Sequence, residues 1–256
     1  MKNCRIKWIV IKSINMKYLV IFISFFCSLV QAQEALEIEY EEVSIPRIIG
    51  KDGKEEKLDD DFIKALSVPK NYVLQIEKGK SVFSKIEKIN NSQGNASVTM
   101  YGIFSYNFEQ DFNQNKMKQE WMIENKKYLV TDTISTHYKY ELTQEKSTYL
   151  GFDVKQAVVK YDDNNKSIIW YAPSLPKRFG PKEFINLPGL VLKVESIRNG
   201  IIDPSYSLKA TSVTTKDHLE FKKLFKAKEI SKAEFEKLKA DYNQQSSNEN
   251  QGVDKD

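Results

Sequence analysis

The chain has 256 residues, 39 basic and 35 acidic side chains, a formal charge of +4, two histidines and two cysteines. Five of the basic residues and both cysteines fall in the first 32 positions, so the remainder carries 34 basic against 35 acidic groups and no thiol. That balance argues against a basic surface for nucleic acid, and it rules out a disulfide frame or thiol chemistry after the leader.

Residues 1–32 read as a signal peptide. Lys12 and Lys17 precede the apolar run Tyr18 to Val30, and Val30-Gln31-Ala32 is a small-residue cleavage pattern. The expected cut lies between Ala32 and Gln33. The run is shorter than the ~20 apolar residues of a membrane-spanning helix. Met16 opens a complete signal peptide of its own, so Met1 and Met16 both qualify as the start. An uncleaved anchor, helped by the apolar patch Trp8 to Ile11, is the competing reading. Bulky Phe26 before Cys27 argues against lipidation. The mature product is therefore expected to be exported and free, touching a membrane only through the cleaved leader.

Residues 33–242 read as one β-rich domain. Glu34 to Val43 alternates Leu36, Ile38 and Tyr40 with Glu37, Glu39 and Glu41, the pattern of a half-buried antiparallel strand. Lys51 to Asp61 is a charged loop, after which Asp59 or Asp60 caps a short helix through Leu66, ahead of Pro69. Tyr72 to Ile76 and Val82 to Ile89 pair across a tight turn at Lys78-Gly79. Asn90 to Asn95 is a polar loop. Ser97 to Phe108, Lys116 to Glu124, Lys127 to Thr133, Tyr138 to Leu142 and Val154 to Tyr161 follow as strands. Asp162-Asp163-Asn164-Asn165 is a hairpin turn into Ser167 to Tyr171, and Leu190 to Val194 and Tyr206 to Val213 complete about eleven strands. Such spacing predicts a mainly β fold, an antiparallel meander curved into a half-barrel or shallow barrel. Residues 215–242 change period and predict two short helices, the second capped by Ser231 with Glu234. Residues 243–256 are almost without apolar side chains and predict a disordered tail.

Between the last strands lies the stretch Trp170 to Val194, which holds Pro173, Pro176, Pro181 and Pro188, four of the seven prolines. Each proline fixes φ and removes a donor, so the segment predicts a stiff connector that is neither helix nor central strand. Leu187-Pro188-Gly189-Leu190 predicts a type II turn with Gly189 at positive φ. The set Trp170, Tyr171 and Pro173, then Phe179, Gly180 and Pro181, then Leu187, Pro188, Gly189, Leu190 and Val191 resembles the signature of the GLPGLI family. Asn186 stands where that signature has its first glycine and Val191 where it has its final isoleucine; asparagine also tolerates left-handed backbone. Gly151 to Ala157 is similar to the run before the signature, without its frequent cysteine. The resemblance implies a small exported protein of Gram-negative bacteria, acting in the periplasm, at the outer membrane or outside the cell. It also implies work beside an outer-membrane uptake receptor.

Few residues suggest chemistry. His137 and His218 have no His or Cys at metal-ligand spacing, and no nucleophile elbow or glycine-rich phosphate loop appears. No metal or cofactor is expected. The signature has two readings. In one it is a structural corner that packs Trp170, Phe179 and Phe184. In the other it is a binding lip where Arg178, with Phe179 and Trp170, forks a carboxylate or phosphate. The preferred function is a non-enzymatic binding or accessory module for a small ligand or receptor. A secreted hydrolase of peptide or glycan, and a purely structural interaction module, stand beside it.

Overall fold

The computed structural model describes residues 35–46, 48–49, 55–56, 58–86, 103–123, 125–135, 138–199 and 204–251. The leader with its Ala32–Gln33 junction, the loop at 90–95 and His137 lie outside them. Local alternation becomes strand wherever apolar and polar residues change places every second position. The strands are β1 (Ala35–Ser44), β2 (Ile48–Ile49), β3 (Glu55–Glu56), β4 (Lys70–Glu77), β5 (Lys80–Lys85), β6 (Ile103–Asp111), β7 (Lys116–Ile123) and β8 (Lys126–Thr133). They continue with β9 (Glu141–Tyr149), β10 (Phe152–Lys160), β11 (Lys166–Ala172), β12 (Leu190–Ile197), β13 (Tyr206–Lys216) and β14 (Lys228–Ser231). Helix α1 (Asp60–Leu66) starts at Asp59, whose carboxylate accepts the Asp61 and Phe62 N–H groups. Helix α2 (Lys232–Gln251) ends the described chain.

Twelve strands form one open sheet in the order β14-β8-β7-β6-β5-β4-β1-β13-β12-β11-β10-β9, and β2 pairs separately with β3. Every pairing is antiparallel except β14 with β8. The sheet is two meanders, β4 to β8 and β9 to β13, laid on either side of β1. Its curl follows from chain length. In a flat sheet β8 and β9, ten positions apart in that order, would stand roughly 48 Å from each other. The seven residues 134–140 that join them reach only about 25 Å. A direct bond gives the same answer. The Tyr149 hydroxyl on β9 donates to the Ala210 carbonyl on β13 at 2.8 Å, although three strands lie between them.

The curled face holds the main core. Leu36, Ile38 and Tyr40 of β1 pair with Ile76, Leu74 and Tyr72 of β4, and all six are buried. Tyr72 stacks on Phe83 at 4.9 Å, and the Tyr40 hydroxyl donates to the Val191 carbonyl at 2.6 Å. Residues 173–189 fold over this face and add Phe179, Phe184 and Leu187 to the core. They reach as far as β6, where the Gln110 amide donates to the Lys182 carbonyl at 3.0 Å. A smaller cluster joins Ile123, Val130, Ile230 and the fully buried Phe235 of α2, which lies 4.7 Å from Trp121.

Several expectations change. Tyr138 to Leu142 is not the strand; β9 begins at Glu141 and runs to Tyr149, and its mostly exposed side chains hide the pattern. The first of the two C-terminal helices is absent. β13 continues to Lys216, and residues 217–227 cross the sheet as a strap without helix. Side-chain acceptors take its backbone donors every third residue. Leu219 N–H donates to Glu77 at 3.4 Å, Lys222 N–H to Gln75 at 3.3 Å, and Phe225 N–H to Glu120. A three-residue period in an extended strap thus imitates a helix. The second helix exists with Ser231 at its cap, accepting the Glu234 N–H at 3.1 Å. It runs past Tyr242 to Gln251, into the stretch expected to be disordered.

The strap gives a pH prediction. The Glu77 carboxyl is held below its ordinary 4.5, first by the hydrogen bond with His218 at 3.0 Å, then by Lys78 and the Leu219 N–H. A lowered native value stabilises the fold at pH values above the ordinary one, and that stabilisation fades as pH falls through the lowered value. Melting curves of wild type and Glu77→Gln should therefore differ at pH 6 and converge toward pH 3. A difference that stays constant over this range would remove Glu77 from the account.

Candidate functional site

The connector from Pro173 to Gly189 contains neither helix nor strand, and its shape comes from close backbone contact. Arg178 N–H donates to Leu187 O at 3.0 Å, and Asn186 N–H returns to Arg178 O at 2.9 Å, closing a loop. Phe184 N–H donates to Pro181 O at 3.1 Å and makes the tip. Positive φ occurs at Arg178, Lys182 and Asn186, at 75°, 53° and 66°. Gly189 is not among the positive-φ residues, so the expected type II turn is not formed. Its glycine is needed for space: a Cβ there would lie 2.3 Å from Ala172 O. At Gly180 a Cβ would lie 1.9 Å from Phe184 O. Here Asn186 supplies the left-handed residue.

The tip of this loop builds a groove. Lys182, Glu183 and Phe184 meet Tyr138, Tyr161, Asp162 and Asn165 beside the β10–β11 turn, and Ser196 to Asn199 and Tyr206 from β12 and β13. Its volume is about 630 Å³, within the usual range for small-molecule sites. Tyr138 stacks on Phe184 at 5.5 Å and meets Tyr161 edge-on at 5.8 Å. The Tyr138 hydroxyl donates to Glu183 Oε1 at 2.9 Å. Burial first, then the Glu183 charge, raises the Tyr138 phenol well above its ordinary value, so it stays a donor. Tyr206 is raised in the same way by burial and by Glu42. The Lys182 ammonium donates to Glu42, donates to the Tyr206 hydroxyl at 3.2 Å, and lies over the Tyr72 and Tyr206 rings.

The remaining polar groups are mostly committed. Asp162 accepts the Asn164 and Asn165 N–H groups and the Asn165 amide at 2.6–2.8 Å. These bonds, the Asn165 side chain first, hold its carboxyl below the ordinary value without a metal ligand role. Tyr161, Ser167 and Ser196 form a hydroxyl chain at 2.9 and 2.7 Å. Arg198, at the end of β12, is exposed and makes no hydrogen bond or ion pair among the described residues. No cluster of three His, Cys, Asp or Glu suited to a metal ion occurs among the described residues.

The three residues read as a lip do not line this groove. Arg178 lies over the Phe112 ring at 4.8 Å and reaches Asn186 at 3.4 Å. Phe179 is buried edge-on against the same ring at 4.8 Å. Trp170 is half-buried on β11 opposite Gln156 and Lys193. The fold thus brings Arg178 and Phe179 onto the Phe112 ring, while Trp170 packs against the same core cluster as Phe179. Sequence reasoning passed over Tyr138, Tyr161, Lys182, Glu183, Arg198 and Tyr206. The adjacent charges Lys182-Glu183 inside a proline-stiffened loop are the one local signal that pointed there.

No protein-family model and no curated protein matches the chain. Among solved structures it is similar to PNGF-II, at a TM-score of 0.53 in one crystal form and 0.50 in another, each at 22% identity over 82% of this chain. The chain spans about a third of PNGF-II, 34% and 33% in the two forms. An uncharacterized conserved protein from Thermus thermophilus aligns at a TM-score of 0.39 and 6% identity, over 78% of this chain and 91% of that one. At 22% identity the likeness to PNGF-II is one of fold.

Proposed function

We propose that the chain is an exported binding or accessory module that holds a small ligand in the groove between Tyr138, Tyr161 and Tyr206. It acts in the periplasm, at the outer membrane or outside the cell, beside an outer-membrane uptake receptor. The observation that carries the reading is the aromatic wall itself. Tyr138 and Phe184 form a stacked base, and Tyr161, 49% exposed, stands edge-on at the rim. Fixed rings with buried hydroxyl partners offer apolar contact at little entropic cost on binding. The resemblance to GLPGLI proteins supports the location.

Two measurements test it. A melting screen with sugars, amino acids, short peptides and aromatic acids should find a ligand that raises Tm. Tyr161→Ala, at an exposed rim position, should weaken that ligand at least about tenfold while leaving the unliganded Tm near wild type. No stabilising ligand, or one indifferent to Tyr161→Ala, refutes the groove. Separately, N-terminal sequencing of the protein recovered from the envelope fraction should begin at Gln33; recovery with residues 1–32 intact refutes the cleaved leader.

A further inference from the structure

We infer that the groove takes a zwitterion, a small molecule bearing both an ammonium and a carboxylate, such as a free short peptide. The inference rests on the groove reading above and assigns its ligand class. Two opposite charges line the groove and are left over from its internal bonding. Glu183 spends Oε1 on the Tyr138 hydroxyl, and Oε2 has no hydrogen bond among the described residues. Arg198 has no partner among the described residues. No ion pair joins the two, so they line one groove more than 4.0 Å apart.

The other charges are consumed. Lys182 is matched by Glu42, and Asp162 by the donors of its own turn. A plain anion would meet Arg198 but also face Glu183, and a plain cation the reverse. A zwitterion satisfies both. Its ammonium fits at Glu183 beside the Tyr138 and Tyr161 rings, where a carboxylate and aromatic faces favour a cation. Its carboxylate fits the planar fork of the Arg198 guanidinium. The rings and about 630 Å³ of space leave room for a side chain between the two ends.

The experiment uses the dipeptide Ala-Phe, its N-acetyl form and its C-terminal amide, titrated by calorimetry into the chain. The free dipeptide should bind, and each capped form should bind at least about tenfold more weakly, the value of one charge-assisted hydrogen bond. Arg198→Gln should erase the penalty for amidation and leave the penalty for acetylation. Glu183→Gln, which keeps an acceptor for Tyr138, should do the opposite. Capped and free peptides binding alike overturn the zwitterion while the groove stands. None of the peptides binding also overturns it, and the wider ligand screen then decides the groove on its own. Penalties that survive both substitutions overturn the assignment of the two ends.

Discussion

Gly180→Ala and Gly189→Ala should each lose about 3 kcal/mol or more of stability, the upper range for overpacking a close-packed site. At Gly180 the added carbon would lie 1.9 Å from the Phe184 carbonyl oxygen, and at Gly189 it would lie 2.3 Å from Ala172 O and 2.8 Å from Pro173 N. These obstacles are backbone, so no side chain can swing aside. Both glycines are buried within residues 173–189, whose Phe179, Phe184 and Leu187 join the core. For a domain of this size the loss corresponds to a Tm drop of roughly 6–12 °C. Gly151→Ala is the control. It has positive φ of 81° but nothing within 4 Å of the added carbon, so only the left-handed penalty of about 1–2 kcal/mol applies. If Gly180→Ala and Gly189→Ala melt like Gly151→Ala, close approach does not shape the loop.

Lys182→Met should lose about 3–5 kcal/mol, because it leaves the Glu42 carboxylate buried without its counter-charge. Glu42 is 6% exposed, and the Lys182 side chain is about one-fifth exposed. The double variant Lys182→Met with Glu42→Leu should return to within about 1 kcal/mol of wild type, since a buried pair gains little over apolar replacements. Chemical denaturation of the four proteins closes the cycle. A double variant no more stable than Lys182→Met would show that the ammonium acts through the Tyr72 and Tyr206 rings instead. The pair also holds the tip that carries Glu183 and Phe184, so Lys182→Met should weaken groove ligands along with the fold.

The three-residue repeat of the strap shows where local reading misleads. Leu219, Lys222 and Phe225 repeat every third residue, and a helix and an extended strap share that spacing. The difference lies in what receives the backbone donors. In a helix they meet carbonyls four residues back; here Glu77, Gln75 and Glu120 from β4 and β7 take them. No inspection of residues 215–227 alone reveals acceptors that come from residues 75 to 120. Gly189 teaches a similar lesson. Its place after a proline suggests a turn needing positive φ, yet the reason for glycine is an Ala172 carbonyl 2.3 Å from where a Cβ would be.

Most of the strands, the capped helix at Asp59, the tight turn at Lys78-Gly79 and the stiff connector through the prolines were legible from residue order, whereas β9, β14 and the short β3 were not. Each legible feature depends on neighbours within a few positions, and a two-residue period or a fixed proline φ acts at that range. A curved antiparallel sheet was expected from strand spacing; its strand order, the strap and the groove were decided only by the folded chain. Tyr161, Arg198 and Tyr206 meet at one end of the β11, β12 and β13 pairings, and Tyr138 and the 173–189 loop with Glu183 pack against them; contacts between segments so far apart in the chain have no local signature.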